Sequence, residues 1–303
     1  MNRRATSSYS SDACYSMTTV AQALDAARNA GLDKLDADLL LLLAHGVTSD
    51  ALHAQRSWLL THDTDTVGEL VLDRYRQSVL RRQSGEPLAY IVGSKDFYGL
   101  ALSVDPRVLV PRPDTETLVD WALEQLTHLP RDAGHLPLRL LDLGTGSGAI
   151  ALALKKHCPT CEVDAVDASA QALGVAQTNA ARLELRVRML QGHWFDPVVG
   201  HYDCIVSNPP YVADSDPHLK ALAHEPIQAL ASGSDGLRDI REIVAGAPRH
   251  LVTGGWLLLE HGFDQGLAVQ TLLRAIGFQN LSRRHDLAGH WRCTGGRWPG
   301  QDP

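Results

Sequence analysis

From Thr18 to Gln83 apolar side chains recur every three or four positions, the period that lines one face of a helix. "TTVAQALDAARNAG" does so and runs into Gly31, a stop signal. "LDADLLLLLAHGV" predicts a second helix, and "TVGELVLDRYRQSVLRRQSG" a third that stops at Gly85. Helices in succession predict a small all-α helical bundle over residues 17–83. The period then shortens. Phe97 to Val110 reads as two short strands joined by a turn at Asp105–Pro106, so residues 84–110 are expected to form a β-hairpin linker. Past Asp114, strand and helix patterns alternate. "LRLLDLG", "CEVDAVD", "LRVRML", "YDCIVSN" and "GGWLLLEHG" read as strands, followed by weaker ones near 279–284 and 290–294. Such alternation predicts an α/β domain over 111–298, with a mostly parallel seven-stranded sheet and helices on both faces. Little chain separates the last two strands, so an antiparallel closing pair is expected. Residues 1–16 have the Ser-rich composition of a disordered N-terminus, and 299–303 form a tail. Met17 is an alternative start.

Composition narrows the classes. The chain is 44% hydrophobic and 21% charged, ordinary for a globular protein. No apolar run approaches the roughly 18 residues of a membrane-spanning helix, and the basic start lacks the apolar stretch of a secretory signal. A cytoplasmic monomer without a membrane partner is the expectation. The net charge of −7 opposes broad adhesion to nucleic acid, which rests on Lys and Arg. Five scattered cysteines suit a reducing compartment. Cys158 and Cys161 form a C-x-x-C, but no second pair completes a zinc site and the histidines lend no supporting pattern, so no metal is expected.

Two stretches carry chemistry. "LLDLGTGSGAIALAL" places Gly144, Gly146 and Gly148 between a strand and a helix, where the backbone can turn tightly and approach a ligand. Asp167 ends the next strand and suits a ribose diol. Gly144, Gly146 and Ala149 also satisfy a dinucleotide pattern, G-x-G-x-x-G/A. Asp142 separates the readings: beside a pyrophosphate it repels, whereas beside the cationic amino-acid end of S-adenosylmethionine it attracts. S-adenosylmethionine is therefore the expected cofactor. The second stretch is "SNPPYV", at the end of the fourth strand. Pro209 and Pro210 have no N–H and stiffen the segment, so its carbonyls face outward. The Asn208 side-chain oxygen and a backbone carbonyl can grip a planar –NH2, and Tyr211 offers a flat wall. Gripping such a group turns its lone pair toward an in-line methyl donor. Asn208, Pro209 and Tyr211 are the candidate catalytic residues, and Asn208 to Tyr211 the substrate grip.

With these motifs in place the chain resembles the PrmC/HemK family, protein-glutamine N5-methyltransferases that act on peptide-chain release factors. The resemblance extends over nearly all residues after Met17 and includes "GEPLAYIVG", "LVPRPDTETLV", "EPIQAL" and "GGWLLLEHG". It implies a Rossmann-like methyltransferase domain behind a helical bundle and hairpin, and a substrate glutamine in a Gly-Gly-Gln motif. It also implies that Gly144, Thr145, Gly146, Ser147, Gly148 and Asp167 bind the cofactor, that Trp194 lies against adenine, and that Asn208 is near the reactive end. One departure is His193, where the family often has an acidic residue. Arg112 and Glu116 are expected at the cofactor pocket or a linker turn, Glu86 and Tyr90 at the hairpin, Phe195 and Trp256 in the core, and Glu260 and His261 at a strand end as a site or a structural pair.

Two other readings fit parts of the pattern. An adenine-amino DNA methyltransferase would use the same grip, but the charge and the lack of a basic recognition region oppose it. An inactive binding module would not need Asp142, the glycines, Asp167 and Asn208 together.

Overall fold

The structure, a computed structural model, describes residues 18–128 and 137–300. The expected disordered segment at 1–16 and the end of the tail lie outside them. The chain divides into two compact units, Met1–Ser84 and Gly85–Pro303.

In the first unit, α1 (Val20–Asn29), α2 (Lys34–Ala44), α3 (Arg56–Thr61) and α4 (Glu69–Gln83) follow in order. Thr19 and Gln22 cap α1 reciprocally, and Asp33 caps α2 through the Asp36 N–H. Leu39 to Leu42 are all buried, so α2 is apolar nearly all round and forms the centre on which α1 and α4 pack. Its two buried carboxylates are each answered: Arg82 meets Asp36 at 2.5 Å and Arg56 meets Asp38 at 2.8 Å. The six residues of α3 make fewer than two turns, too few to display a period.

The second unit opens with α5 (Leu88–Val92) and a hairpin of β1 (Ser94–Phe97) and β2 (Leu100–Ser103). Here the structure corrects the sequence expectation. The hairpin turns at Tyr98–Gly99, with φ of 50° and 70°, and not at Asp105–Pro106. Two left-handed residues match the twist of the flanking strands; a tyrosine in that role masks the turn. Asp105 folds the turn that follows β2, accepting from the Arg107 N–H at 3.0 Å. The part of the expected linker around Tyr90 is helical, and the Tyr90 hydroxyl donates to the Val108 carbonyl at 2.5 Å.

The main sheet has seven strands: β3 (Arg139–Leu143), β4 (Glu162–Asp167), β5 (Arg188–Gln191), β6 (Tyr202–Ser207), β7 (Leu251–Glu260), β8 (Gln279–His285) and β9 (Trp291–Arg297), ordered β5-β4-β3-β6-β7-β9-β8. β3 to β7 are parallel, and β9 is antiparallel to both neighbours. Neighbouring residues of β3 point to opposite faces. Leu140 joins an apolar layer with α6 (Glu116–His128) and α7 (Ala149–His157). Leu141 joins a second with α9 (Arg238–Gly246) and α10 (Gly266–Ile276). α8 (Ala170–Arg182) packs beside β4 and β5. The chain runs outward from β3 to β5 and then returns to the other side of β3 as β6. That reversal opens a crevice at the strands' carboxyl ends.

The Cys158 and Cys161 sulfurs are bonded to each other after α7, unlike the thiols a reducing compartment implies. No described helix is long and apolar enough to cross a membrane.

Candidate functional site

β3 delivers the glycine loop into the crevice. Gly144, Gly146 and Gly148 have φ of 74°, 55° and 84°, a region that side chains rarely enter. At Gly144 a Cβ would also stand 3.3 Å from the Trp194 ring. The Gly146 N–H donates to Asp167 Oδ2 at 2.8 Å, and the Ser169 N–H to Asp167 Oδ1 at 2.9 Å. Asp167 therefore ties the loop to the end of β4 while keeping further lone pairs. Burial raises its pKa, against those two N–H groups.

Asp142 is wholly buried. Its Oδ2 accepts from the Thr145 hydroxyl at 2.7 Å and the Ala151 N–H at 3.2 Å, while Oδ1 has no partner. Burial pushes this carboxyl up to about 7, although both hydrogen bonds favour its charged form.

A cavity of about 450 Å³ occupies the crevice. Its wall includes Gly144, Gly146, Asp167, Trp194, Asn208 and Pro210. The other expected site residues stand behind that wall. Asp142 is buried in β3, Thr145 and Ser147 are buried in the loop, Gly148 packs against Ala176, and Pro209 is buried. Tyr211 is also off the wall: its ring packs on the apolar layer and its hydroxyl lies 3.4 Å from Glu260 Oε1, so it is not the open flat surface expected. His193 is on the wall, with Nε2 3.0 Å from Glu242 Oε1 on α9. Phe195 and Trp256, expected in the core, are half-buried and pack at the edges of the two apolar layers.

The bend after β6 is anchored at its start. Ser207 donates to the Leu143 carbonyl at 2.6 Å, and Asn208 Nδ2 to Thr115 Oγ1 at 3.2 Å. Among the described residues, no hydrogen bond reaches Asn208 Oδ1 or the Pro209 carbonyl. Past the bend, Gln265 Nε2 holds the Tyr211 carbonyl at 3.0 Å.

Several contributors escape sequence reasoning. Glu225 is buried, accepts from the Val110 N–H at 3.0 Å and pairs with Arg112, joining "LVPRP" to "EPIQAL". Glu116, expected at the cofactor pocket or a linker turn, accepts from the Tyr98 N–H of the hairpin turn at 2.8 Å. Thr115 positions Asn208, and Gly236 lies against the Tyr211 carbonyl. Each of these contacts links distant segments, so no period announces it.

Residues 123–276 match the Methyltransferase small domain, and residues 18–93 the PrmC N-terminal domain. A release factor glutamine methyltransferase of Bordetella pertussis is 46% identical over 270 residues, covering 88% of this chain and 95% of its own length. The chain belongs to the release factor glutamine methyltransferase family. A relative of that name from Vibrio cholerae is 43% identical over 289 residues, covering 92% of this chain and 97% of its own. Among solved structures, a methyltransferase from Pyrococcus furiosus superposes with a TM-score of 0.51 at 21% identity, covering 73% of this chain and 99% of that one, which shows the shared fold. Within the family's fold, the glycine loop and the proline bend of this chain meet at one cavity.

Proposed function

We propose that the protein methylates the side-chain amide nitrogen of the glutamine in the Gly-Gly-Gln motif of peptide-chain release factors, with S-adenosylmethionine as donor. The observation that carries this reading is the Asn208 amide on the cavity wall, held by its nitrogen with, among the described residues, no hydrogen bond to its oxygen, on a stiff bend beside the glycine loop.

The residues fit the cofactor. Asp142 Oδ1 is a buried acceptor without a partner, a costly state that an ammonium group relieves. Asp167 would hold the ribose, Trp194 would face the base, and the glycines leave the room that side chains would take. When bound, the cofactor supplies a methyl on a cationic sulfur that keeps the C–S bonding pair. Asn208 Oδ1 and the Pro209 carbonyl take the two amide hydrogens and turn the nitrogen lone pair toward the cavity. They also favour the positive charge that develops on nitrogen as its bond to carbon forms, a stabilisation of about 3 kcal/mol for one well-placed group. Holding both reactants in line supplies about 7–11 kcal/mol more. The surplus proton leaves to water, and no protein nucleophile is required.

The helical first unit is assigned to docking the release factor beyond its Gly-Gly-Gln loop. Leu60 and Leu80, at 74% and 58% exposure, give it apolar surface for that task. Removing residues 1–83 should raise KM for a whole release factor more than for a short peptide; equal effects would oppose the assignment.

The deciding experiment is mass spectrometry of a release factor incubated with the protein and S-adenosylmethionine. One added methyl on the Gly-Gly-Gln glutamine is expected. Label entering DNA and not the release factor would overturn the reading, as would the absence of cofactor binding.

A further inference from the structure

The bend that carries Asn208 has a second fastening at its far end. Pro209 and Pro210 bring no N–H, so half of the segment from Asn208 to Tyr211 offers none to tie it by. The peptide after Tyr211 is held on both sides instead. Its N–H, from Val212, donates to the Leu230 carbonyl at 2.9 Å, and its carbonyl, from Tyr211, accepts from Gln265 Nε2 at 3.0 Å. Gln265 stands between β7 and α10, half-buried and off the cavity wall.

The Gln265 carboxamide joins three separate segments. Its Oε1 accepts from the Gly262 N–H, just past β7, at 2.8 Å. Its Nε2 donates to the Tyr211 carbonyl and lies 3.4 Å from the Asp235 carbonyl in "GSDGL". A carboxamide carries its hydrogens on nitrogen and only lone pairs on oxygen. A backbone N–H only donates and a carbonyl only accepts, so one orientation alone satisfies all three neighbours. Turned over, the oxygen would face two carbonyl oxygens and the –NH2 would face an N–H. The support behind Gln265 is firm. The Val269 N–H of α10 bonds its carbonyl at 3.0 Å, and Val269 and Leu273 are wholly buried in the apolar layer. Gly236 leaves the room this approach needs, since a Cβ there would stand 2.8 Å from Gln265 Nε2.

We propose that Gln265 is a positioning residue, whose carboxamide fixes the exit of the proline bend and so holds Asn208 Oδ1 where the substrate –NH2 meets it. The inference rests on the function proposed above, in which Asn208 Oδ1 receives the glutamine –NH2.

The two prolines give the fastening its reach. Each has φ fixed near −65°, so a shift at Tyr211 is passed along the segment to Asn208 and not absorbed between them. With Gln265 gone, Ser207 and Thr115 still hold the start of the bend, but its exit is free to move. A misplacement of about 1 Å can cost about 10²-fold in rate. The cavity-wall residues assigned to the cofactor other than Asn208, which are Gly144, Gly146, Asp167 and Trp194, belong to other parts of the crevice. The loss therefore falls on kcat and spares cofactor affinity.

The test compares Gln265→Glu with Gln265→Met. Glu keeps an acceptor for the Gly262 N–H and sets a carboxylate oxygen against the Tyr211 and Asp235 carbonyls. Met, of similar length, removes the bonds and adds no charge. Each should lower kcat about tenfold or more, with the Kd for S-adenosylmethionine by calorimetry within about twofold of the parent's. In the Asn208→Ala background, Gln265→Met should lower kcat less than about twofold, because the group it positions is gone. Without turnover, the side-chain amide signals of Asn208 should shift between the parent and Gln265→Met. Parental kcat in Gln265→Met would overturn the proposal, and so would the same loss of kcat in both backgrounds, the result of a purely structural role. If the Met variant does not fold, Gln265→Glu carries the same comparison in both backgrounds. A parent that binds cofactor but leaves the release factor unmethylated would strike the proposed function instead, while Asn208 signals unmoved by Gln265→Met would still overturn this inference.

Discussion

Asn208 is held by its nitrogen and free at its oxygen, so truncating it tests chemistry more than folding. Asn208→Ala should keep the fold and most cofactor affinity and lower kcat about 10²–10³-fold, the usual cost of one oriented polar group. Turnover and calorimetry on the same preparation check this; parental turnover would mean the amide is not gripped there. Asn208, Asp167 and the glycines were legible in the sequence because each is a distinct chemical type beside a strand end or a backbone breaker. Asp142 was legible as a carboxylate but not in its depth. Its burial comes from the packing of α7 over the loop, which the local pattern does not report. Tyr211 misled for a related reason: an aromatic after two prolines reads as an open wall, whereas Glu260 and the apolar layer draw it inward.

At the scale of elements, helices longer than two turns and all seven strands were legible, because their periods run on for several residues. What escaped are the joints. The hairpin turns at Tyr98–Gly99 because both residues adopt positive φ, a choice the tyrosine conceals. The "GSDGL" stretch looks like any loop, yet at Gly236 a Cβ would come 2.2 Å from the Tyr211 carbonyl oxygen, with φ already at 72°. Gly236→Ala should therefore displace the proline bend, lose most turnover and cost about 1–3 kcal/mol of stability, measurable by denaturant unfolding. Unchanged activity would show that the bend tolerates displacement. Glu225 is another such joint. Glu225→Gln retains an acceptor for the Val110 N–H but loses the charge that meets Arg112, and should cost about 1–3 kcal/mol with a smaller loss of turnover. A double-mutant cycle with Arg112→Gln checks it: additive losses would mean the two side chains are not coupled.

Across the whole molecule, stability near neutral pH is set by buried groups that titrate there. Asp164 and Asp286 have lowered values, so they are ionised in both folded and unfolded chains between about pH 5 and 8 and add no slope. Asp142 and Glu260 are raised to about 7 from 3.8 and 4.5. The folded chain keeps protons that the unfolded chain has lost. Their contribution is present in full below the unfolded values and disappears as pH rises through about 7. The buried His261 has a lowered value and works in the opposite direction, recovering stability as pH rises toward 6.5. The difference between parent and Asp142→Asn isolates the carboxylate. Relative to that variant, the parent should lose about 2–4 kcal/mol between pH 5 and 8. A cation bound against Asp142 favours its ionised form, so S-adenosylmethionine should raise the parent's melting temperature more at pH 8 than at pH 6, where binding must first expel a proton. Asp142→Asn should show a smaller rise that is the same at both. Equal shifts in the parent at the two pH values would mean that the orphaned Asp142 oxygen does not meet the cofactor's ammonium group.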